Sequence, residues 1–214
     1  MLKNTIKKIR HRVRQRLVLS YIFERLSSVG ITIRLYYLTQ EFLFDEKDLK
    51  LRPELESIAI GFLSSSEIKI INDHPESKWS DRENIKLLEE GCQCFGLKHN
   101  DEIAAYMWCN LSGCHEISPF PLKEDEAYLT RAFTFRDYRG KSLAPFLRYQ
   151  LCKHLNEIGR TKIYSYTDVF NTPAIKFKMK LKAKPIKIIF DIKLFSKYHL
   201  NFVMSSPKHF VITI

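Results

Sequence analysis

The chain lacks any apolar run approaching the roughly 18 residues that a membrane-spanning helix requires, so no such helix is expected. Its five cysteines (Cys92, Cys94, Cys109, Cys114 and Cys152) include no CxxC pair, and no His/Cys pair has the usual ligand spacing, so no metal is expected. The odd cysteine count and the apolar neighbours favour reduced, partly buried thiols in a cytoplasmic protein. Internal repeats and low-complexity tracts are also missing. Residues 1–16 contain no acid and lead into Leu17-Val18-Leu19-Ser20-Tyr21-Ile22-Phe23, which imitates a signal peptide. Glu24 and Arg25 follow at once and no small-residue cleavage site is present, so the segment reads as retained.

What is present suits a globular chain. Of 214 residues, 45% are hydrophobic and 28% charged, enough for a real core and too apolar for wholesale disorder. The net charge of +11 is unevenly placed. Residues 1–16 carry +7 and residues 174–214 carry +8, which leaves −4 on residues 17–173. Nucleic-acid enzymes more often spread basic residues across a binding face, so nucleic acid is not the expected partner. Basic ends fit a solvated arm, an anion-binding patch or attachment to an acidic surface, such as a membrane surface or a protein, through residues 1–16.

Residues 2–27 suit a basic amphipathic helix, with Ile6, Ile9, Val13 and Leu17 at three- and four-residue steps and Gly30 beyond its end. Ile31–Leu38 reads as a strand. Residues 45–90 read as mainly helical, broken near Pro53 and Asp73-His74-Pro75, with Asp81 capping a helix that Gly91 ends. Cys92–Lys98 and Ile103–Cys109 form a hairpin around His99–Glu102. A polar connection over 110–125 leads to a strand at Ala127–Phe135. A helix over 142–157, a strand at Lys162–Asp168, a helix from Asn171 and final strands near 185–195 and 199–205 complete the chain. Lysine at every second residue over Lys176–Lys184 has strand periodicity. This order indicates the α/β (α+β) class: a mixed sheet with helices on its faces.

The informative stretch is Phe133-Thr134-Phe135-Arg136-Asp137-Tyr138-Arg139-Gly140-Lys141-Ser142-Leu143-Ala144, which joins a strand to the start of a helix. Free backbone N–H groups at a helix N-terminus favour phosphate, and Arg139 and Lys141 add positive charge. An ordinary strand-to-helix turn is the competing reading. A second segment, Asn171-Thr172-Pro173-Ala174-Ile175-Lys176-Phe177, follows the next strand.

Together these segments resemble the GNAT N-acetyltransferase superfamily, over roughly residues 29–205. Arg139-x-x-Ser142-x-Ala144 matches the family's [Arg/Gln]-x-x-Gly-x-[Gly/Ala] signature, and Asn171 matches its second. The resemblance implies a mostly antiparallel central sheet flanked by helices over 29–214, with residues 1–28 as an extra basic helix. It further implies acetyl-CoA as co-substrate, lying where strands 127–135 and 162–168 splay apart. On this resemblance, backbone groups of Phe133, Thr134 and Phe135 are expected to pair with the pantetheine arm. The Arg139, Gly140, Lys141, Ser142, Leu143 and Ala144 amides would cradle the pyrophosphate, and Asn171 would contact the arm. A strand N–H would polarise the thioester carbonyl, and the acceptor amine would attack it directly in a ternary complex.

Three positions depart from the family pattern. Ser142 replaces the usual Gly, Lys178 stands where a Tyr often protonates the leaving thiolate, and Lys182-Ala183 replaces Gly-Phe. For proton transfer, Glu126 lies where many relatives place a base, and His115 and Glu116 precede it. Tyr164, Tyr166 or Tyr138 are candidates for the missing acid, and Asp168 ends the second strand. Each also has a plain reading as a solvated or packing residue. The leading expectation is an acetyl-CoA:amine N-acetyltransferase, with Glu126 and Tyr164 as catalytic residues. The alternatives are a non-catalytic acyl-CoA-binding protein and a surface-attached scaffold using the basic ends. No acceptor signature is legible; amino sugars, polyamine-type metabolites and protein amines all fit.

Overall fold

The computed structural model describes residues 18–41, 57–114, 117, 119–195 and 197–205. In chain order these form helix α1 (18–28), strands β1 (Ile31–Glu41) and β2 (Ile58–Phe62), helices α2 (Ser65–Asp73) and α3 (Asp81–Glu89), and strands β3 (Gln93–His99) and β4 (Glu102–Asn110). There follow β5 (Gly113–Cys114), β6 (Phe120–Pro121), β7 (Glu126–Thr134), α4 (Leu143–Glu157), β8 (Lys162–Asp168), α5 (Thr172–Lys180), β9 (Lys184–Leu194) and β10 (Tyr198–Ser205). The chain divides into two compact units. The described residues of Gln40–Ser165 and Lys180–Ala183 make the larger; those of Met1–Thr39, Tyr166–Met179 and Lys184–Ile214 make the smaller.

In the larger unit the strands run in the order β8-β7-β4-β3-β2, antiparallel except for the β7–β8 pair. The central hairpin is tighter than expected. Asn100 and Asp101, at φ 49° and 66°, form a two-residue turn, because a left-handed pair matches the twist of the flanking strands. One face of the sheet packs on α4. Leu143, Leu147, Leu151 and Leu155, four apart along the helix, meet Ala105, Met107, Ala127, Leu129 and Ile163. The other face packs on α2 and α3 through Ile68, Ile71 and Leu87, against Cys94, Tyr106, Trp108, Phe133 and Phe135.

Two expectations for this region need correction. Ile58–Phe62, read within a helical stretch, is the edge strand β2, paired with Phe95–His99. The cap of α3 is Ser80, not Asp81. Its hydroxyl accepts from the Glu83 N–H while the Glu83 carboxylate accepts from the Ser80 N–H, a reciprocal box that leaves Asp81 in the first helical turn. A matching box of Ser64 and Glu67 opens α2.

In the smaller unit the order is β10-β9-β1-β8, with β9 and β10 antiparallel. Residues 18–28 are helical and end at Gly30, with φ 86°; the rest of the expected basic helix, residues 1–17, lies outside the described residues. The lysine alternation from Lys176 to Lys184 does not make a strand up to Lys180. Asn171 caps α5 by accepting from the Ala174 N–H, and Ile175 and Lys178, three apart, turn inward together. The buried Lys178 ammonium donates to Thr39 Oγ1 at 3.0 Å and to the Tyr166 carbonyl at 3.2 Å.

Candidate active site

Strand β7 is bulged where the chemistry was expected. Tyr106 pairs with Phe133 and Trp108 with Thr130, so β7 spends three residues where β4 spends two. Within the extra length Arg131 stands at φ 49°. The change of parity is visible in the packing. Ala127 and Leu129 face α4, whereas Phe133 and Phe135, also odd-numbered, face α2 and α3. The Arg131 guanidinium donates to Asn84 Oδ1 (3.1 Å) and the Glu83 carbonyl (3.3 Å), and lies 5.4 Å from the centre of the Trp79 ring. The parallel β7–β8 register covers only Glu126–Tyr128 against Lys162–Tyr164.

Beyond β7 the chain makes one 3-10 turn at Arg136–Tyr138 and enters α4 through Arg139–Ser142. Gly140 has φ 81° and Ser142, the residue before α4, has φ 55°. The left-handed backbone explains why glycine suits position 142, and serine there bears the strain. The Ser142 hydroxyl makes no capping bond. Among the described residues none accepts a hydrogen bond from the N–H groups of Gly140, Lys141, Ser142, Leu143 or Ala144. A Cβ added at Gly140 would meet no atom within 4 Å. Unsatisfied donors, open space and a helix N-terminus suit a phosphate-bearing ligand.

The charge around this loop is held in place. Arg139 donates from Nε to the Thr134 carbonyl at 3.0 Å, and its Nη2 lies 3.2 Å from Glu76 Oε2. The same Glu76 oxygen accepts from the Arg136 N–H at 3.1 Å. The Lys141 ammonium stands 5.4 Å from the centre of the Tyr138 ring. Phe133 and Phe135 are buried, and the Phe135 N–H donates to the Ala104 carbonyl at 3.1 Å.

The structure brings Glu126 and Tyr164 together. The Tyr164 hydroxyl donates to Glu126 Oε1 at 3.2 Å, and the Lys123 N–H donates to Oε2 at 3.0 Å. Burial, and then the Glu126 charge, push the Tyr164 phenol up, so it holds its proton at neutral pH. Phe120 packs edge-on against both Tyr128 and Tyr164. This pair sits at the paired end of β7, about 16 Å along the strand from the bulge at ~3.3 Å per residue. Tyr138 donates to Glu102 at 2.9 Å. His115 and Glu116 lie outside the described residues. Asn171, Tyr166, Asp168 and Lys178 belong to the smaller unit, where the Asp168 carboxylate accepts from the Phe170 N–H and Tyr166 packs on Tyr36.

Glu76, Arg131 and a buried cluster around Arg148 escaped the sequence reading. Arg148 of α4 donates from Nε and Nη2 to Glu41 at 2.8 and 2.5 Å, and from Nη2 to Ser165 Oγ at 2.8 Å. Ser165 in turn donates to Glu41 at 2.7 Å. The readable signal was a charged residue one position from Leu147, on the helix face that Leu151 and Leu155 share. Glu76 and Arg131 carried no such signal. Among the described residues no cluster of His, Cys, Asp or Glu has metal-ligand geometry.

The family model of the acetyltransferase (GNAT) family matches residues 59–181, more than half of the chain and the whole of the β7–α4 site. The chain belongs to the GNAT acetyltransferase family. Solved structures agree in fold. A GNAT-family protein described as a putative acetyltransferase from Novosphingobium aromaticivorans is 18% identical, with a TM-score of 0.51, over 83% of this chain and 69% of that one. A GCN5-related N-acetyltransferase-like protein from Streptococcus suis is 17% identical, with a TM-score of 0.53, over 82% and 67%. The tandem GNAT protein of the clavulanic acid biosynthesis pathway is 13% identical, with a TM-score of 0.53, over 86% and 58%. The chain spans 57% and 65% of the lengths of two further matched structures. No curated protein sequence matches. The matched span contains the loop after β7, including Ser142.

Proposed function

We propose that the chain is an acetyl-CoA-dependent N-acetyltransferase, which moves the acetyl group to an amine of an acceptor by direct attack in a ternary complex. One observation carries this reading: the loop from β7 into α4 offers N–H groups without a partner among the described residues, and open space beside Gly140. In this reading the amides of Gly140, Lys141, Ser142, Leu143 and Ala144 hold the pyrophosphate, and Arg139 and Lys141 offset its charge. The backbone around Phe133, Thr134 and Phe135 receives the pantetheine arm, and Asn171 is a further contact implied by family resemblance. Acetyl-CoA supplies an acetyl group already activated as a thioester. Glu126 takes the proton that the acceptor's ammonium must lose before attack, with Tyr164, hydrogen-bonded to it, relaying protons at that end of β7.

Titration calorimetry with acetyl-CoA tests the binding half, and a folded protein that takes up none refutes it. Thiol release from acetyl-CoA across a panel of amines tests the transfer half. Binding without transfer is the second reading. Lys178, at the usual position of the acid, directs its ammonium to Thr39 and Tyr166, which favours that reading. Binding without thiol release for any amine decides for it. We also place the protein in the cytoplasm, with residues 1–16 attaching it to an acidic surface. No helix among the described residues is long and apolar enough to cross a membrane.

A further inference from the structure

The smaller unit carries an apolar face that the proposed transfer does not use. In the β9–β10 ladder Leu200 lies opposite Ile192, Phe202 opposite Phe190 and Met204 opposite Ile188. Directly opposed residues share a face, so these form two parallel apolar rows on one side of the hairpin. The β10 row is open to solvent, with Phe202 and Met204 each 54% exposed, and the β9 row is half-buried. At the connecting turn Phe195 is 64% exposed. The buried residues of β9, Ile189 and Asp191, point to the opposite side. An outward apolar row of this extent marks an interaction surface.

The charge around it selects the partner. Lys184 is even-numbered like the row and Lys197 lies at the turn, whereas Lys187 and Lys193 share the side of Ile189; the hairpin's one acid, Asp191, is buried on that other side and bonded to His199. A second copy of this face would set Lys184 and Lys197 against their own copies, and the basic residues 1–16 would be repelled in the same way. A surface that is anionic outside and apolar beneath satisfies both features. We infer that the β9–β10 hairpin docks the protein on an anionic lipid bilayer, with Leu200, Phe202 and Met204 at the headgroup–acyl boundary and Lys184 and Lys197 reaching anionic headgroups. Helix α1 of the same unit also exposes Val18, Leu19 and Ile22.

The test is sedimentation of the full chain with phosphatidylcholine vesicles, with and without about a third phosphatidylserine. Binding is expected only to the anionic vesicles and is expected to fall as salt rises. The double variant Leu200→Ser/Phe202→Ser loses about tenfold or more, given two apolar contacts removed. Its melting temperature and acetyl-CoA binding stay unchanged, because both residues are exposed. Lys184→Glu/Lys197→Glu weakens binding comparably without touching the apolar row. Absence of vesicle binding, or binding by both double variants equal to that of the unaltered chain, overturns the inference; in the latter case residues 1–16 suffice. So does light scattering that shows a dimer which Leu200→Ser/Phe202→Ser splits. Acetyl-CoA calorimetry on the same samples is independent of these outcomes, so failure here and failure of the proposed transfer are told apart.

Discussion

Glu41→Gln leaves the Arg148 guanidinium charged in a place from which water is excluded. The two side chains are 1% and 2% exposed, and they share two hydrogen bonds of 2.5 and 2.8 Å, with Ser165 closing the cluster. Burial disfavours the charge and Glu41 outweighs it, and a guanidinium is basic enough to stay ionised without that partner, so the variant cannot escape by losing the charge. Breaking one partner of such a pair costs about 3–5 kcal/mol. At ~2–4 °C per kcal/mol for a chain of this size, the melting temperature falls by about 10 °C. Arg148 lies on α4, whose first turn belongs to the proposed phosphate loop, so acetyl-CoA affinity is expected to fall with it. Urea denaturation followed by circular dichroism reads the stability. The double variant Glu41→Leu/Arg148→Met regains most of the loss, because two apolar groups leave no stranded charge. A single variant that loses less than about 1 kcal/mol, or a double variant weaker than either single, refutes this account of the pair.

Glu76→Gln keeps an acceptor for the Arg136 N–H and removes the negative charge facing Arg139. Acetyl-CoA affinity is expected to rise roughly threefold at low salt and by less at high salt, since the pair is partly solvated; calorimetry showing weaker binding contradicts this. Ser142→Val puts a β-branched residue at φ 55°, and is expected to cost about 1–2 kcal/mol and to lower acetyl-CoA affinity, whereas Ser142→Gly is stability-neutral within about 0.5 kcal/mol. Thermal melts of both variants check the contrast. Lys98, and then the Ser64 hydrogen bonds, hold the Glu67 carboxyl at about 2, against an ordinary value of 4.5. Its contribution is therefore complete above pH 4.5 and lost as pH falls toward 2. The urea midpoint of the wild type should fall more steeply over that window than that of Glu67→Gln.

Where local chemistry and tertiary packing agree, the fold was legible in the sequence. The α4 stripe of leucines, the glycine stops at Gly30, Gly91 and Gly159 and the central hairpin all appear where their patterns place them. The misreadings share a cause. Ile58, Ile60 and Phe62 alternate as a strand does, but five residues among helical segments made too short a signal to outweigh its neighbours. The lysines of α5 also alternate, yet one of them, Lys178, is drawn inside by Thr39 and the Tyr166 carbonyl, which no period can announce. The site divides similarly. The proposed phosphate loop has a local signature, so its residues could be proposed from the sequence alone. Glu76 reaches Arg139 across 63 positions and Glu41 reaches Arg148 across 107, and only the folded chain brings such partners together.

The extra residue in β7 bends that strand without being needed to aim its side chains. Before Arg131 the odd positions face α4; after it they face α2 and α3. Deleting the extra residue would leave Trp108 opposite Thr130 and Tyr106 opposite Phe133 in a regular ladder, so Phe133 and Phe135 would keep their helix layer while the bulge and its bend would be lost. Replacing Arg131 with glycine, by contrast, relieves the left-handed backbone and keeps the bulge. The bend, rather than the identity of the residue at its hinge, is what lineages descended from this chain have to preserve.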